Sequence, residues 1–503
     1  MRWPIPTKRT FGRIVSDSPS RKSTDLSNEN LTAHPPNRPL WGRLFNFRIA
    51  AQFAIRALVP HSVRAKFSGR HNLRAVIGNS SWIFFDKILR MGAGLVVGVW
   101  IARYLGPEGF GLLNYAVAFS SLFGALASFG MDAIVVRELV NAPEQRDDVL
   151  GSAFALRLMS GIITFLLVIV AVSIMRRGEL LAIWVVGLAA AGFIFQSLNV
   201  IDLYFQSRVE ARYTIYATNS AFLIVALTKV LLVLRRAPIV AFAWAALAEI
   251  VLASLLLPFI YRLRGLSAWK WRIKWRIVYR LMADSWPLVL SGISIMIAMR
   301  VDQVLIGQML NDKQVGIYSA ATRISEIWYF IPVGIAGSVF PLLVEAKRRD
   351  EHLYYARLQK LYNALTLLAI SFALVMTVFS GSIVRLLYGQ KFASSARVLT
   401  ILIWSGVPVA IGCAWSNWML LENRTKTMFS FQIIGGVINF ILNVLLIPRF
   451  GIVGSAYATL ISYWFWIAVL CVLMKSQHRA LAMIAKAFVP FLMVGHDGKD
   501  AVS

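Results

Sequence analysis

Cysteine is nearly absent: the 503 residues hold two, Cys413 and Cys471, both inside apolar runs. Two thiols so placed build neither a disulfide framework nor a zinc cluster. Acid is scarce as well, with 24 Asp and Glu against 52 Lys and Arg, and charged residues make up only 15% of the chain. No apolar core followed by a small-residue cleavage site occurs in the first 40 positions, so no cleaved signal peptide is expected. The stretch LGPEGFG at 105–111 lacks the Lys and Ser/Thr of a phosphate-cradling loop and reads as a turn. His61, His71, His478 and His496 are scattered without the spacing of metal or acid–base sites. No cofactor motif and no catalytic constellation is present, and an enzyme is not expected.

What the chain has in excess is apolar surface. Hydrophobic residues make up 58% of it and mean hydropathy is +0.65, more than a water-exposed globule can bury. Lipid must be the solvent for most of the chain. The net charge of +28 would fit a nucleic-acid binder, but its distribution excludes that partner. Fourteen of the Lys and Arg lie in residues 1–75, and most of the others fall in short loops between apolar runs, as the positive-inside rule requires.

Residues 1–75 are rich in Pro, Ser, Asn and Arg and read as a disordered cytoplasmic extension. Within it, Leu40–Val63 mixes Trp41, Phe45, Phe47 and Phe53 with spaced Arg. That pattern fits either a helix lying on an anionic membrane surface or more of the disordered tail. From Ser81 onward twelve apolar runs recur, at 82–101, 110–130, 152–175, 181–205, 214–234, 239–261, 286–309, 316–342, 360–379, 398–420, 427–447 and 452–474. Each is long enough to cross about 30 Å of hydrocarbon. Loop charge places both termini in the cytoplasm, anchored by LRGLSAWKWRIKWRIVYR at 263–280, whose Trp269, Trp271 and Trp275 fit a headgroup belt.

An internal repeat divides the spans. Residues 236–247 (RAPIVAFAWAAL) align without gaps on 449–460 (RFGIVGSAYATL), and Trp82 and Trp286 open helices ending at Gly106 and Leu310. Six spans per half is an even number, so the second half enters the membrane in the same direction as the first, a parallel repeat. The expected fold is therefore an all-α polytopic membrane protein of about twelve transmembrane helices, in two six-helix lobes related by a parallel pseudo-two-fold around a central cavity. The expected boundaries are an N-terminal lobe at 76–262, a basic linker at 263–282, a C-terminal lobe at 283–475 and a cytoplasmic tail at 476–503.

Charges inside spans are costly and mark functional hypotheses. The first span carries Asp86, Lys87 and Arg90; Asp86 and Arg90, at i and i+4, can pair, while Lys87 or Arg90 could instead snorkel to headgroups. Arg300 and Asp302 lie in the seventh span, Arg323 and Glu326 in the eighth. Cations on repeat-related spans imply a basic lining on each side of the cavity, the alternative being a structural salt-bridge network. A lumen lined by Arg and Lys would attract a phosphate-bearing ligand, since guanidinium matches phosphate oxygens bidentately. Asp302 and Glu249 are candidate ion-coupling acids. Lys229 and Arg157, nearer span ends, are expected to snorkel, and Gly94 and Gly98 form a GxxxG read as close packing inside the bundle.

The run WIARYLGPEGFGLLNYAVAFSSLFGALASFGMDAIVVREL at 100–139 resembles the polysaccharide-export flippases, the oligosaccharide flippase family within the larger superfamily that includes the multidrug and toxin extrusion exporters. ENRTKTMFSFQIIGGVINFILNVLLIPRFGIVGSAYATLIS at 422–462 is similar to that family's eleventh and twelfth helices, and the likeness runs from Gly78 to Lys475. The resemblance implies two lobes around a cavity that opens alternately to either face of the bacterial inner membrane. Its cargo would be an undecaprenyl-pyrophosphate-linked oligosaccharide repeat unit, carried to the outer leaflet for a separate polymerase and co-polymerase, with basic cavity residues holding the pyrophosphate. That expectation agrees with the independent reading of Arg300, Arg323, Lys87 and Arg90. The sequence departs from the family in its long basic N-terminal extension, and 476–503 reads as too short and too polar for two further helices. Two other functions stay open: an antiporter exporting cationic drugs, which would want acids in the cavity, and a membrane scaffold docked through the N-terminal arm. A monomer without cofactor is expected.

Overall fold

The computed structural model describes residues 71–473 and 478–494. The Leu40–Val63 segment, His61 and His496 lie outside these described residues. Within them the chain is helical, without a strand. In the first half the helices are α1 (His71–Leu122), α2 (Gly124–Ser128), α3 (Asp132–Asn141), α4 (Arg146–Met175), α5 (Leu180–Phe195), α6 (Val200–Ser207), α7 (Arg212–Leu234) and α8 (Ile239–Leu263). The second half holds α9 (Trp275–Met309), α10 (Asp312–Ile327), α11 (Phe330–Arg349), α12 (Glu351–Tyr388), α13 (Ser395–Leu402), α14 (Gly406–Leu421) and α15 (Thr425–Leu473), followed by α16 (His478–Val494).

Two of these helices are long enough to cross a bilayer twice. At 1.5 Å per residue, the 52 residues of α1 would run roughly 78 Å, far beyond a hydrocarbon core of about 30 Å. The helix breaks at Gly106, whose φ of 70° combined with ψ of 180° suits a residue without Cβ, directly before Pro107, which has no N–H for a helical bond. α15 breaks in the same way at Gly451, φ 60°, three residues after Pro448. Nine helices among the described residues are long and apolar enough to cross a membrane, and Leu89–Leu122 with Gly124–Asn141 adds a bent tenth. With the breaks at Gly106 and Gly451 counted, the twelve spans and two lobes stand as the sequence predicts. Ile239 and Ile452, aligned in the repeat, each follow the turn that opens the last span of their half.

Lipid exposure follows from side-chain chemistry. Ile163, Leu166, Val170 and Ile174 of α4 and Leu374, Val375 and Val378 of α12 are all exposed apolar residues, as a hydrocarbon solvent permits. The opposite case is Ser395–Leu421, 72% buried against 28% for Pro143–Met175, with Val398, Leu402, Ile411 and Trp415 enclosed by its neighbours. Without a hydrophobic force between helices in lipid, close packing and polar contacts must hold such a bundle together. α7 packs on α8 and α1 within the first lobe, and α12 on α14 within the second. The most extensive contact of any element pair joins the lobes, α1 against α10.

The basic linker is folded onto the first lobe. Arg272 N–H donates to the Asp147 carbonyl at 3.2 Å, and Lys274 Nζ meets Asp148 at 2.6 Å. Trp271 turns inward, its ring 5.8 Å from Phe154 and 6.1 Å from Tyr261, while Trp269 and Trp275 remain exposed. The segment 476–503, read as a polar tail, contains α16, whose Ala480, Met483, Ile484 and Ala487 are buried in contact with α12. Their i, i+3, i+4, i+7 spacing makes one apolar face.

Candidate functional site

A cavity of about 470 Å³ lies between the lobes, walled by Arg90, Gly94 and Gly98 of α1, Phe222 and Lys229 of α7, and Arg323 and Glu326 of α10. Apolar side chains, among them Met91, Leu95, Ile101 and Ile327, fill the remaining wall. Three cations and one acid therefore line it.

The cations are held very differently. Arg90 Nε donates to Asp86 Oδ1 and Asn219 Oδ1, both at 3.1 Å, and Nη2 donates to the Thr218 carbonyl at 2.8 Å. Its guanidinium also sits 5.3 Å from the Phe222 ring centroid. Lys229 Nζ pairs with Glu249 Oε2 at 2.9 Å, a carboxylate and an amine on neighbouring helices that satisfy each other. Snorkelling was the expectation for Lys229; the pair inside the bilayer is the better partner. Arg300 is not in the wall and lies 3.8 Å from Glu326. Lys87 is exposed and outside the wall.

Arg323 has no carboxylate within ion-pair distance among the described residues. Its Nη2 donates to Asn114 Oδ1 at a long 3.3 Å, and its guanidinium stands 5.2 Å over the Phe110 ring. Asn114 is oriented for this because its amide donates back to the Phe110 carbonyl, 2.6 Å away, leaving Oδ1 to accept. Gly98 supplies the space: a Cβ there would collide with Arg323 Nη1. Of the two glycines of the GxxxG, Gly98 makes room for a guanidinium rather than for a neighbouring helix backbone, while a Cβ on Gly94 would meet nothing within 4 Å. Arg323 comes from the second lobe and Gly98, Phe110 and Asn114 from the first.

Asp302 occupies a separate, buried polar ladder in the second lobe. Tyr318 OH donates to Asp302 Oδ2 at 2.6 Å and the Gln303 N–H to Oδ1 at 2.8 Å. Tyr318 OH also lies 3.4 Å from Thr459 Oγ1. Beyond it, Ser455 Oγ donates to Asn443 Oδ1 at 2.6 Å, Asn443 to Asn439 Oδ1 at 3.2 Å, and Asn439 to Ser462 Oγ at 3.1 Å. Spans seven, eight, eleven and twelve all contribute, so each buried polar group finds a partner on another helix.

A second pocket of about 150 Å³ lies inside the first lobe, bordered by Asp132, Arg157, Gln196, Asn199 and Asp202. Arg157 was expected to snorkel, but it is 6% exposed and paired with Asp132. With a carboxylate in reach on α3, the guanidinium stays inside.

The chain matches the family described as polysaccharide biosynthesis protein over residues 76–347. It belongs to that family. A second family model, MatE, matches residues 287–445, within the second half of the chain. Among its relatives is the probable flippase AglR of Haloferax volcanii, 30% identical over 215 residues, 40% of each chain. The chain thus spans well under two thirds of that relative's length. Two solved structures share the fold. An inward-facing MATE multidrug transporter gives a TM-score of 0.62 at 16% identity, covering 82% of this chain and 96% of its own. The lipid II flippase MurJ in an inward closed conformation gives 0.61 at 16%, covering 85% and 94%.

Scanning spans for charge alone passed over Asn114, Asn439 and Asn443; amides inside apolar runs were the signal that finds them.

Proposed function

We propose that this polysaccharide biosynthesis family member is a flippase for lipid-linked oligosaccharides. In this reading it moves undecaprenyl-pyrophosphate-linked repeat units from the cytoplasmic to the periplasmic leaflet of a bacterial inner membrane, for exopolysaccharide or O-antigen-type synthesis. The observation that carries it is Arg323, a guanidinium without a carboxylate, reaching across the inter-lobe cavity. A cation that faces the cavity without an anion is a seat for one, and guanidinium binds phosphate oxygens bidentately. Arg90, with unused bonding capacity at Nη1, is the second phosphate contact, and Arg300 enters once Glu326 releases it. Lys87 meets the pyrophosphate only on the cytoplasmic approach to the cavity. The apolar wall around Leu95, Ile101 and Ile327 receives the polyprenyl chain.

Both termini are cytoplasmic in this reading, from the Lys and Arg of the linker, and the chain works as a monomer that hands its product to a polymerase and co-polymerase. Asp302 is the ion-coupling acid; Glu249 would have to give up Lys229 to serve. Glu326 is the one wall residue that an exporter of cationic drugs would use, and Arg300 opposes it.

The test is genetic. Deleting the gene should accumulate lipid-linked repeat units on the cytoplasmic leaflet, and Arg323→Ala, alone or with Arg300→Ala, should fail to restore export. Full rescue by the double variant removes Arg323 as the cargo seat.

A further inference from the structure

At the membrane end opposite the linker, the two lobes are joined by contacts that the cavity itself does not need. We infer that Arg176 and Asp312 form the core of a latch that shuts the cavity on that face and must release for cargo to leave. Arg176 follows α4 in the first lobe; Asp312 opens α10 in the second. Arg176 Nη2 donates to Asp312 Oδ1 at 2.8 Å and to the Gly307 carbonyl at 2.9 Å, and Nη1 donates to Glu179 at 2.8 Å. The guanidinium stacks 4.3 Å from the centroid of Tyr115, whose hydroxyl accepts from Gln308 Nε2 at 2.5 Å. The Arg176 side chain is only 7% exposed. Removing one partner of a charge pair this enclosed leaves the other charge uncompensated.

Two independent contacts reinforce the closure. α1 and α10 cross at Gly111 and Gly316, where a Cβ on Gly111 would overlap the Asp312 carbonyl and one on Gly316 the Pro107 carbonyl. The backbones are as near as glycine permits. Close by, Arg103 of the first lobe donates to the Leu387 carbonyl at 2.7 Å and to the Leu386 carbonyl, capping the end of α12 in the second.

The latch also reaches the cargo seat. Gly111 and Asn114 share α1, Gly316 and Arg323 share α10, so parting the crossing pulls Arg323 away from Asn114, Phe110 and Gly98. Release at the outer face therefore dismantles the seat, and pyrophosphate affinity falls as the exit opens. The inference rests on the transport reading for its purpose, but its test does not use cargo.

Ile101, in the cavity wall, is replaced by Cys in full-length protein lacking Cys413 and Cys471, and a membrane-impermeant maleimide is applied to each face of sealed vesicles in turn. With the latch intact, labelling from the face opposite the linker should be slow. Asp312→Asn, which keeps shape, and Arg176→Gln should each raise that rate at least about tenfold, a shift that requires only about 1.4 kcal/mol of differential stabilisation. Gly316→Ala should do the same by steric means, and it decides the matter if a charge variant fails to melt cooperatively. Unchanged labelling in folded Asp312→Asn and Gly316→Ala proteins overturns the latch. A latch that opens as described in a protein that moves no glycan lipid would instead overturn the cargo and leave the latch standing.

Discussion

Arg90 and Arg323 face one cavity from opposite lobes, yet only Arg323 does so without a carboxylate among the described residues. Arg90 is bound by Asp86, Asn219 and a main-chain carbonyl, all within 3.1 Å; Arg323 has one amide at 3.3 Å and an aromatic face. Lys229 repeats the first pattern with Glu249. A cation in a membrane span is thus no ligand group by position alone. What decides is whether a carboxylate already answers it, because charge pairs in low dielectric are not given up cheaply.

The sharpest way to break the contrast is to truncate each side. Arg323→Ala should lower translocation by about 100-fold, the loss expected when a charge-assisted contact worth about 3 kcal/mol is removed, with the melting temperature little changed. Complementation and thermal unfolding in detergent measure the two separately. Next in size, Asp302→Asn keeps the Tyr318 hydrogen bond, because an amide oxygen accepts as a carboxylate does. The protein should fold but lose any dependence of transport on a proton or sodium gradient, whereas Glu249→Gln should retain it. Gradient-driven uptake into inverted vesicles distinguishes the pair.

Another variant converts one lobe's chemistry into the other's. Asn114→Asp gives Arg323 the carboxylate that Arg90 already has, and binding of inorganic pyrophosphate by calorimetry should weaken about tenfold, or about 1.4 kcal/mol. The smallest transport effect belongs to Arg90→Ala. It leaves Asp86 half-buried without its partner, so stability should drop by about 1 to 2 kcal/mol while the folded fraction keeps most of its rate.

The spans were legible because a bilayer of fixed thickness demands long apolar runs, and the repeat because both halves solve the same packing problem with Ile239 and Ile452 at equivalent turns. Asp86 with Arg90 was legible from helical spacing alone. Pairs between helices were not. Lys229 finds Glu249 twenty residues away and Arg176 finds Asp312 across 136, separations at which nothing local distinguishes a buried pair from two residues reaching for headgroups. Asn114 matters only because Gly98, on the other arm of α1, leaves room for a guanidinium from the second lobe. Such a three-body arrangement has no pattern in one dimension. The tail was judged on its average polarity, which hides the single apolar stripe of α16.

That stripe bears on how the protein can be handled. Since Met483, Ile484 and Ala487 cover part of α12, and Gln359 donates to the Met483 carbonyl at 2.9 Å, a chain cut after the twelfth span would bare a greasy strip of α12 beside the linker end. Topology reporters and purification handles should therefore be appended beyond Val494. Joined at residue 475 they would report on a damaged lobe, and the misfolding would be mistaken for sidedness.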